Sequence, residues 1–370
     1  MRFRHQNPVF PEQNLLRRRR LQRDTVSLPD STGVYGMKSS RSLSQSHVLV
    51  TGAGGFIASH LVEALVPLCG KVTALIHYDA RPHWSNLEFL PRETLDAVEV
   101  LAGDVTDPHF MRQTVRGRDV VFHLAALIAI PYSYVAPTAY FQTNVLGTLN
   151  ILEACRQEGV ARMIHTSTSE CYGTARTVPI SEDHPLQAQS PYSASKISAD
   201  KAVESYCLSF DFPGVIIRPF NTYGPRQSAR AIIPTIVTQM LSAAPCVRLG
   251  SLTPTRDLTY VSDTVAGFIA AATADGVEGE TINLGVGKTI AIGDLARKIS
   301  ELTGIQKEIV SEEQRVRPEK SEVMQLLSDN RKARELLRWN PQVELDDGLR
   351  KVIKFIQEHS DFYKSGHYTV

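Results

Sequence analysis

Short apolar, β-branched runs alternate with longer stretches of helical periodicity between residues 46 and 218. Six runs predict strands, at 47–51, 71–77, 98–101, 119–124, 161–166 and 215–218. The stretches between them predict helices at 56–68, 137–158 and 191–210. Because continuous apolar strands separated by helices form parallel sheets covered on both faces, the pattern predicts an α/β fold. Right-handed crossovers would make it a doubly wound parallel sheet.

The regular alternation ends after residue 218, which predicts a second, smaller domain. Residues 222–260 are rich in Pro, Arg and Thr, residues 261–285 resemble the sheet domain again, and residues 342–359 predict an amphipathic helix. We expect the sheet domain to comprise residues 46–221 and about 261–285. The discontinuous C-terminal domain, where a substrate would bind, would comprise about 222–260 and 286–358.

The first 45 residues differ in charge from the rest of the chain. They hold nine basic and three acidic residues, a net +6, so with a total of +1 the remainder carries −5. A block of like charges is typical of a disordered arm, and no apolar stretch follows Arg20 that could be a signal peptide. A functional basic arm and a true start at Met37 are the alternatives. The near-neutral total gives no whole-protein case for nucleic-acid binding.

The cysteines and the apolar runs bear on location. The five cysteines are scattered without a CxxC pair, which indicates neither a zinc site nor a disulfide framework. The longest apolar run, 120–130, contains His123 and is too short to cross a bilayer. We therefore expect a cytoplasmic protein without a metal or a membrane contact.

Glycines connect the first predicted strand to the first predicted helix. Gly52 and Gly55 precede Phe56 and Ile57, and the spacing Gly52-x-x-Gly55-x-x-Ala58 differs from the older Gly-x-Gly-x-x-Gly pattern. Glycines let a turn approach a pyrophosphate, and the helix N-terminus supplies free N–H groups. A tight turn alone explains many glycine clusters, but the strand–turn–helix context predicts a dinucleotide site here.

Residues that follow the second and third predicted strands indicate which dinucleotide binds and where its adenosine end would lie. Asp79 would bind the ribose hydroxyls of NAD, whereas His77 and Arg81 could meet the 2′-phosphate of NADP. Asp104 and Val105 are placed for the adenine edge, and a helix N-cap is the alternative role for Asp104. The sequence thus favours NAD and leaves NADP open.

Polar residues follow the fifth strand and open the next long helix. Tyr192 and Lys196 are four residues apart and share a helix face, so the ammonium should lower the pKa of the phenol. A tyrosinate could then take a proton from a sugar hydroxyl as hydride leaves to a nicotinamide. Upstream, Thr168, Ser169 and Glu170 supply hydroxyls and an acid/base at a strand end, where such sheets bind ligands. The alternatives are a surface Tyr–Lys pair and a loop carboxylate.

Together these motifs resemble the extended short-chain dehydrogenase/reductase superfamily, and within it the NAD(P)-dependent nucleotide-sugar epimerases and dehydratases. The residues that carry the resemblance are Gly52, Gly55, Asp104, Val105, His123, Leu124, Ala125, Ala126, Thr168, Tyr192, Lys196, Arg218 and Pro219. It spans about residues 46–358. It implies a Rossmann fold, an NAD site that includes residues 124–126, and a homodimer.

The resemblance also implies how a nucleotide-sugar is held. Arg256 and Arg317 match positions that bind the pyrophosphate, and guanidinium suits phosphate oxygens. Asn221 matches an amide that contacts a phosphate or sets the local conformation, and Arg226 follows in the same segment. For any single arginine, a surface salt bridge is the alternative.

Glu170 bears on the type of reaction. In relatives, 4,6-dehydratases carry Thr-Asp-Glu or Thr-Ser-Glu here, and many 4-epimerases lack the acid; glucuronate-type decarboxylases also carry Thr-Ser-Glu. Dehydration needs a base for the C5 proton and an acid for the C6 hydroxyl, whereas epimerisation needs only hydride transfer and ketone rotation. The runs 130–134 and 190–196 are more similar to GDP-sugar and legionaminate-pathway dehydratases. We therefore expect a nucleotide-sugar 4,6-dehydratase.

The alternatives are a 4-epimerase and, less favoured, a decarboxylase. A binding module that senses the dinucleotide without turnover would be a different class, and the intact set of Thr168, Tyr192 and Lys196 argues against it. We expect Cys171, beside Glu170, to be a packing residue and not a nucleophile.

Overall fold

The computed structural model describes residues 42–81, 83–315 and 321–363, so Met37, most of the basic tail and Arg317 lie outside the described residues. The strands are β1 (His47–Thr51), β2 (Lys71–His77), β3 (Val98–Gly103), β4 (Val120–His123), β5 (Arg162–Thr166), β6 (Gly214–Pro219), β7 (Asn221–Tyr223), β8 (Cys246–Leu249), β9 (Thr255–Tyr260), β10 (Thr281–Leu284), β11 (Thr289–Ala291), β12 (Glu308–Ser311) and β13 (Gln325–Leu326). The helices are α1 (Phe56–Leu65), α2 (Arg92–Asp96), α3 (Pro108–Val115), α4 (Ile130–Val135), α5 (Pro137–Tyr140), α6 (Gly147–Glu158), α7 (Pro191–Phe210), α8 (Ile232–Leu241), α9 (Val261–Thr273), α10 (Ile292–Thr303), α11 (Arg331–Leu337) and α12 (Leu345–Glu358).

A seven-stranded parallel sheet, in the order β10-β6-β5-β4-β1-β2-β3, organises the fold. The chain winds outward from β1 through β2 and β3, then returns to β4 on the other side of β1. This reversal confirms the predicted doubly wound α/β fold. It opens a crevice at the carboxyl ends of β1 and β4, where sheets of this kind bind ligands.

Both faces of the large sheet are buried, which explains why its strands are apolar without alternation. Along β1, Val48 and Val50 pack on one face with Leu61 and other residues of α1. Leu49 points to the opposite face and packs with Ile151 of α6.

The strands outside the large sheet form two smaller sheets. β9 pairs with β7, β11 and β13, and β8 pairs with β12. The chain passes from the large sheet into the smaller one within two residues, because β6 ends at Pro219 and β7 begins at Asn221. β10 then returns to the large sheet beside β6. The domain boundaries that the sequence suggests stay a prediction.

Two predicted helices differ from the observed ones. The helix predicted at 56–68 ends at Leu65, because Pro67 follows two residues later and has no N–H to continue the helical hydrogen bonds. The helix predicted at 137–158 is continuous in space, but residues Phe141–Leu146 between α5 and α6 form a π-helical segment.

Two further observations concern the described part of the chain. Its helices include none that is both long and apolar enough to span a bilayer. All five cysteines lie within it, and each is a free thiol.

Candidate active site

A cleft of about 1760 Å³ follows the carboxyl ends of the large sheet. It brings together every predicted site residue that the structure describes: Gly52, Gly55, Phe56, Ile57, Asp79, Asp104, Val105, Leu124, Ala125, Ala126, Thr168, Ser169, Glu170, Tyr192, Lys196, Asn221, Arg226 and Arg256. The volume exceeds the roughly 300–1,000 Å³ of a pocket for one small ligand, and it suits a dinucleotide with a second nucleotide-sized ligand.

The glycine turn seats α1 at one end of this cleft. Gly52 has a φ of +69°, and a Cβ there would lie 2.7 Å from the Cα of Ala125. Gly55 caps α1 without a side-chain hydrogen bond, and the first turn of α1 holds no acidic residue. The first N–H groups of α1 therefore face the cleft without a competing carboxylate. These residues fit a dinucleotide pyrophosphate.

Asp79 and Arg81, the two candidates for the ribose end, bind each other. Arg81 donates to Asp79 through its backbone N–H at 3.0 Å and through Nη2 at 2.6 Å. The hydrogen bonds and charge of Arg81 hold the pKa of Asp79 well below its usual range. Asp79 is therefore ionised at the edge of the cleft, and its charge is partly neutralised by Arg81.

The hypothesis that Asp104 caps the following helix is wrong. The N-cap of α3 is Asp107, whose side chain accepts from the backbone N–H of His109 at 2.9 Å, and Pro108 occupies the first helical position. Asp104 instead accepts from the backbone N–H of Thr106 at 2.8 Å. Its carboxylate lines the cleft beside Val105.

A capping box fixes the start of α7, which carries Tyr192 and Lys196. The Ser190 hydroxyl accepts from the backbone N–H of Ser193 at 3.1 Å, and Ser193 Oγ accepts from that of Ser190 at 3.0 Å. Tyr192 comes two residues after the cap residue Ser190, so its position depends directly on this cap. Both Tyr192 and Lys196 are buried.

The pKa of Tyr192 is shifted in the direction opposite to the one expected from Lys196. Burial raises the pKa of Tyr192, while a side-chain hydrogen bond with Thr168 acts in the opposite direction. Lys196 is not among the described residues that shift it most, and burial lowers the pKa of Lys196 itself. In this structure the phenol is therefore neutral, and the cost of burying a phenolate outweighs a neighbouring ammonium.

The turn after β5 places a hydroxyl and a carboxylate beside Tyr192. Thr168 Oγ1 accepts from the backbone N–H of Glu170 at 3.2 Å and also forms the hydrogen bond with Tyr192. Glu170 is half-buried and lines the cleft. Cys171 points inward, and burial raises the pKa of its thiol to about 12, so it is neutral and unsuited to nucleophilic attack.

The predicted substrate-binding residues differ in how they are paired. Arg256 Nη2 donates to Glu322 Oε1 at 3.0 Å, and both side chains are largely buried. Arg226 adopts a φ of +67° and donates to Glu63 at 2.7 Å. Within the described residues, the buried Nε and Nη1 of Arg226 and Oδ1 of Asn221 have no hydrogen-bond partner. These polar atoms could serve a ligand in the cleft.

The cleft also contains charged residues that sequence reasoning missed. Arg230, Arg248, Arg315 and Glu322 lie in its lining. They come from loops, a short strand and a 3-10 turn, where the sequence shows no periodicity that could have located them. Asp200 did leave a signal, because it continues the four-residue spacing of Tyr192 and Lys196 along α7.

Comparisons with known proteins agree with this geometry. The family model described as GDP-mannose 4,6 dehydratase matches residues 49–352. The chain is 30% identical to the dTDP-D-glucose 4,6-dehydratase of Mus musculus over 324 residues, which cover 86% of this chain and 90% of that protein. It is 32% identical to the UDP-glucose 4-epimerase of Mycolicibacterium smegmatis over 317 residues, which cover 84% of this chain and 99% of that protein.

A solved structure shows the same fold with a ligand. The dTDP-glucose 4,6-dehydratase DesIV from Streptomyces venezuelae, crystallised with NAD, superposes with a TM-score of 0.76 at 26% identity. The match covers 86% of this chain and 99% of that chain. Proteins named as 4,6-dehydratases and as 4-epimerases are therefore both similar to this chain over most of its length.

Proposed function

This chain belongs to the GDP-mannose 4,6-dehydratase family of nucleotide-sugar epimerases and dehydratases, and from that premise we propose that it is an NAD-dependent nucleotide-sugar 4,6-dehydratase. The observation that carries the proposal is the position of Glu170, a carboxylate that lines the cleft two residues after Thr168 and close to Tyr192. Elimination of water needs such an acid/base, and hydride transfer alone does not.

The cleft offers residues that suit the pyrophosphate and the adenosine end of NAD. Gly52, Gly55 and the N-terminus of α1 would hold the pyrophosphate, and Asp79 and Asp104 would hold the adenosine end. When bound, NAD would accept a hydride from C4 of the sugar and deliver it to C6, and its cationic ring would favour ionised Tyr192.

The chain's own residues would move the protons. Tyr192 takes the proton of the C4 hydroxyl at its phenolic oxygen, and the Thr168 hydroxyl holds the same sugar oxygen. The ketone at C4 makes the C5 proton acidic, and the carboxylate of Glu170 removes it. Glu170, with Ser169 beside it, then gives a proton to the C6 hydroxyl, which leaves as water. Once a hydride is returned to C6, C5 takes a proton from solvent and Tyr192 releases to solvent the proton that it took, which restores the enzyme.

The nucleotide diphosphate would lie among the cleft's basic residues. Arg256 and Arg226 supply guanidinium groups, Asn221 supplies an amide, and Arg317 would join them. Arg256 must then exchange part of its contact with the carboxylate of Glu322 for a contact to the phosphate oxygens of the ligand.

A 4-epimerase is the second candidate, since a relative at 32% identity carries that name. An epimerase would use Tyr192 and Thr168 in the same way and would not need Glu170. The two functions therefore differ in the role of one carboxylate.

The deciding experiment incubates the protein and NAD with GDP-, dTDP-, UDP- and CDP-sugars and measures product mass. Loss of one water supports dehydration, an unchanged mass with a new isomer supports epimerisation, and loss of carbon dioxide means decarboxylation. We expect Glu170→Gln to slow water loss at least about 100-fold with unchanged NAD affinity. Glu204→Gln, an exposed residue of α7 that pairs with Lys201, is the matched control and should retain full rate.

The assembly state and the compartment stay predictions. α7 exposes the apolar side chains of Leu208 and Phe210, which a second copy of the chain would cover in a homodimer. Light scattering on the purified protein tests this, and a monomeric mass would contradict it.

A further inference from the structure

Behind the cleft, a buried carboxylate on α7 connects several elements of the site. Asp200 is 1% exposed and lies one helical turn after Lys196. Ser167 Oγ donates to its Oδ2 at 2.7 Å, and Arg218 donates to the same oxygen through Nε at 3.1 Å and Nη2 at 2.9 Å. His165 Nε2 lies 3.4 Å from its Oδ1. Ser167, just after β5, and Arg218 of β6 therefore hold the carboxylate, and the ring of His165 on β5 lies beside it.

Asp200 is ionised even though it is buried. Burial alone would raise its pKa, but His165, Arg218 and Ser167 together lower it. Arg218 is itself fixed, because its Nη1 donates to the Tyr172 hydroxyl at 3.1 Å and that hydroxyl donates to Asn283 at 2.7 Å. These hydrogen bonds hold the negative charge of Asp200 at one position.

Lys196 is the buried cation one helical turn before this charge on α7. It is 4% exposed, and side chains four residues apart on a helix lie on the same face. The titratable groups that interact with it are Asp200 on α7 itself, His123 from β4, His165 from β5 and Cys171 from the turn after β5, and Tyr192 lies one turn before it on α7.

Most of these neighbours are neutral at pH 7. Burial lowers the pKa of His165 to about 4, holds that of His123 well below its usual range and raises the pKa of Cys171 to about 12. Burial also lowers the pKa of Lys196, and Asp200 and Cys171 oppose that shift. Of those two, only Asp200 carries a charge, so it opposes the loss of the ammonium proton.

We propose that Asp200 is a positioning residue of the active site, whose fixed carboxylate keeps Lys196 protonated and in place beneath the cleft. The inference rests on the proposed function, because Lys196 matters only if the cleft is a catalytic site. Without Asp200, the buried Lys196 would lose part of its charge near neutral pH, and the cleft would lose the cation that lines it one turn after Tyr192.

The test follows the charge of Lys196 directly. The full chain, labelled with ¹⁵N-lysine, is titrated by NMR with NAD present, and the Nζ signal is assigned by its loss in Lys196→Met. We expect Asp200→Asn to lower the titration midpoint of Lys196 by about one pH unit or more. The high-pH limb of kcat/KM should move downward by a similar amount, and Asp200→Glu should restore part of both shifts.

Two further variants keep the outcome decisive. Asp263→Asn removes a buried aspartate of a different helix, α9, whose carboxylate accepts from the backbone N–H of Val343. This variant should leave the Lys196 midpoint unchanged. If Asp200→Asn alone does not fold, Asp200→Asn with Arg218→Met removes both buried charges and leaves none unpaired. A folded Asp200→Asn variant with an unshifted Lys196 midpoint overturns the proposal, and so does a double variant whose midpoint is no lower than that of Arg218→Met, which shares the loss of the Arg218 charge. Since the NMR titration needs no turnover, it remains decisive even if the sugar products contradict dehydration.

Discussion

Gly52 combines a left-handed backbone with a close contact across the cleft. Its φ is +69°, and a Cβ would lie 2.7 Å from the Cα of Ala125, so Gly52→Ala must both strain the turn and push two segments apart. We expect the variant to lose about 1–3 kcal/mol of unfolding free energy and at least about tenfold in NAD affinity. Urea unfolding and calorimetric titration with NAD measure the two effects.

Gly117 supplies the matched control. Its φ is +71°, but a Cβ there would meet nothing within 4 Å. Gly117→Ala therefore carries the backbone strain without the contact, and NAD affinity should not change. Equal NAD affinities in the two variants would show that the turn at Gly52 does not shape the dinucleotide site.

The behaviour of Tyr192 illustrates what spacing can and cannot predict. The four-residue interval to Lys196 correctly places both side chains on one helix face. It contains no information on burial, and the pKa of Tyr192 rises because the ring is enclosed, including by Tyr140 at a ring-centroid distance of 6.2 Å. Tyr140 is distant in sequence, so this environment appears only when the helices pack.

At the scale of elements, the buried carboxylate of Asp257 on β9 forms hydrogen bonds with two loops. Asp257 accepts from the backbone N–H groups of Val286 at 2.8 Å, Gly287 at 2.9 Å and Ser328 at 3.1 Å. Burial outweighs these bonds and raises the pKa of Asp257 from 3.8 to about 6. Since Arg256 precedes it on β9, this anchor also sets the position of a cleft arginine.

The raised pKa of Asp257 predicts a pH-dependent stability. The folded state binds the proton more tightly than the unfolded chain, so the contribution is complete below about pH 4 and is lost as the pH rises through about 6. Relative to Asp257→Asn, the wild type should lose on the order of 2 kcal/mol across this interval. Urea unfolding at a series of pH values measures the difference. A constant difference between the two proteins would contradict the assignment, and Asp263→Asn controls for the loss of a buried aspartate.

Elements of the large sheet were predictable, and those of the smaller sheets were not. β1 and β2 match their predicted bounds, since a buried parallel strand reads as a continuous apolar run. β7, β11 and β13 have two or three residues each, too few for any periodicity to show. β7 follows β6 and β11 follows β10, so their pairing with β9 depends on the positions of β6 and β10 in the large sheet.

The π-helical segment was equally hidden, although it serves the site. One extra residue in a helical turn leaves the apolar pattern nearly unchanged, so residues 137–158 still predict a single helix. The segment brings Asn144 inward, where its amide bonds both the N–H and the C=O of Leu127 and donates to Ser195 Oγ at 2.9 Å. It thereby connects the cleft wall to α7.

For the whole molecule, the distribution of charge matters more than its total. The first 45 residues carry +6 and the remainder −5, so a nucleotide-sugar is not attracted by the net charge of the part that forms the cleft. Attraction must come from the cleft's own arginines, several of which are paired with carboxylates such as Glu63 and Glu322. These arginines act at short range, where screening by salt is weak.

This arrangement predicts that the basic tail is dispensable for catalysis. Among the described residues, those that line the cleft lie between Gly52 and Phe362, so a chain that begins at Met37 retains all of them. We expect its kcat/KM to equal that of the full chain at low and at high salt, and its melting temperature to be unchanged. A loss of activity that appears only at low salt would instead mean that the tail's positive charge gathers the anionic substrate, because long-range attraction is screened as ionic strength rises.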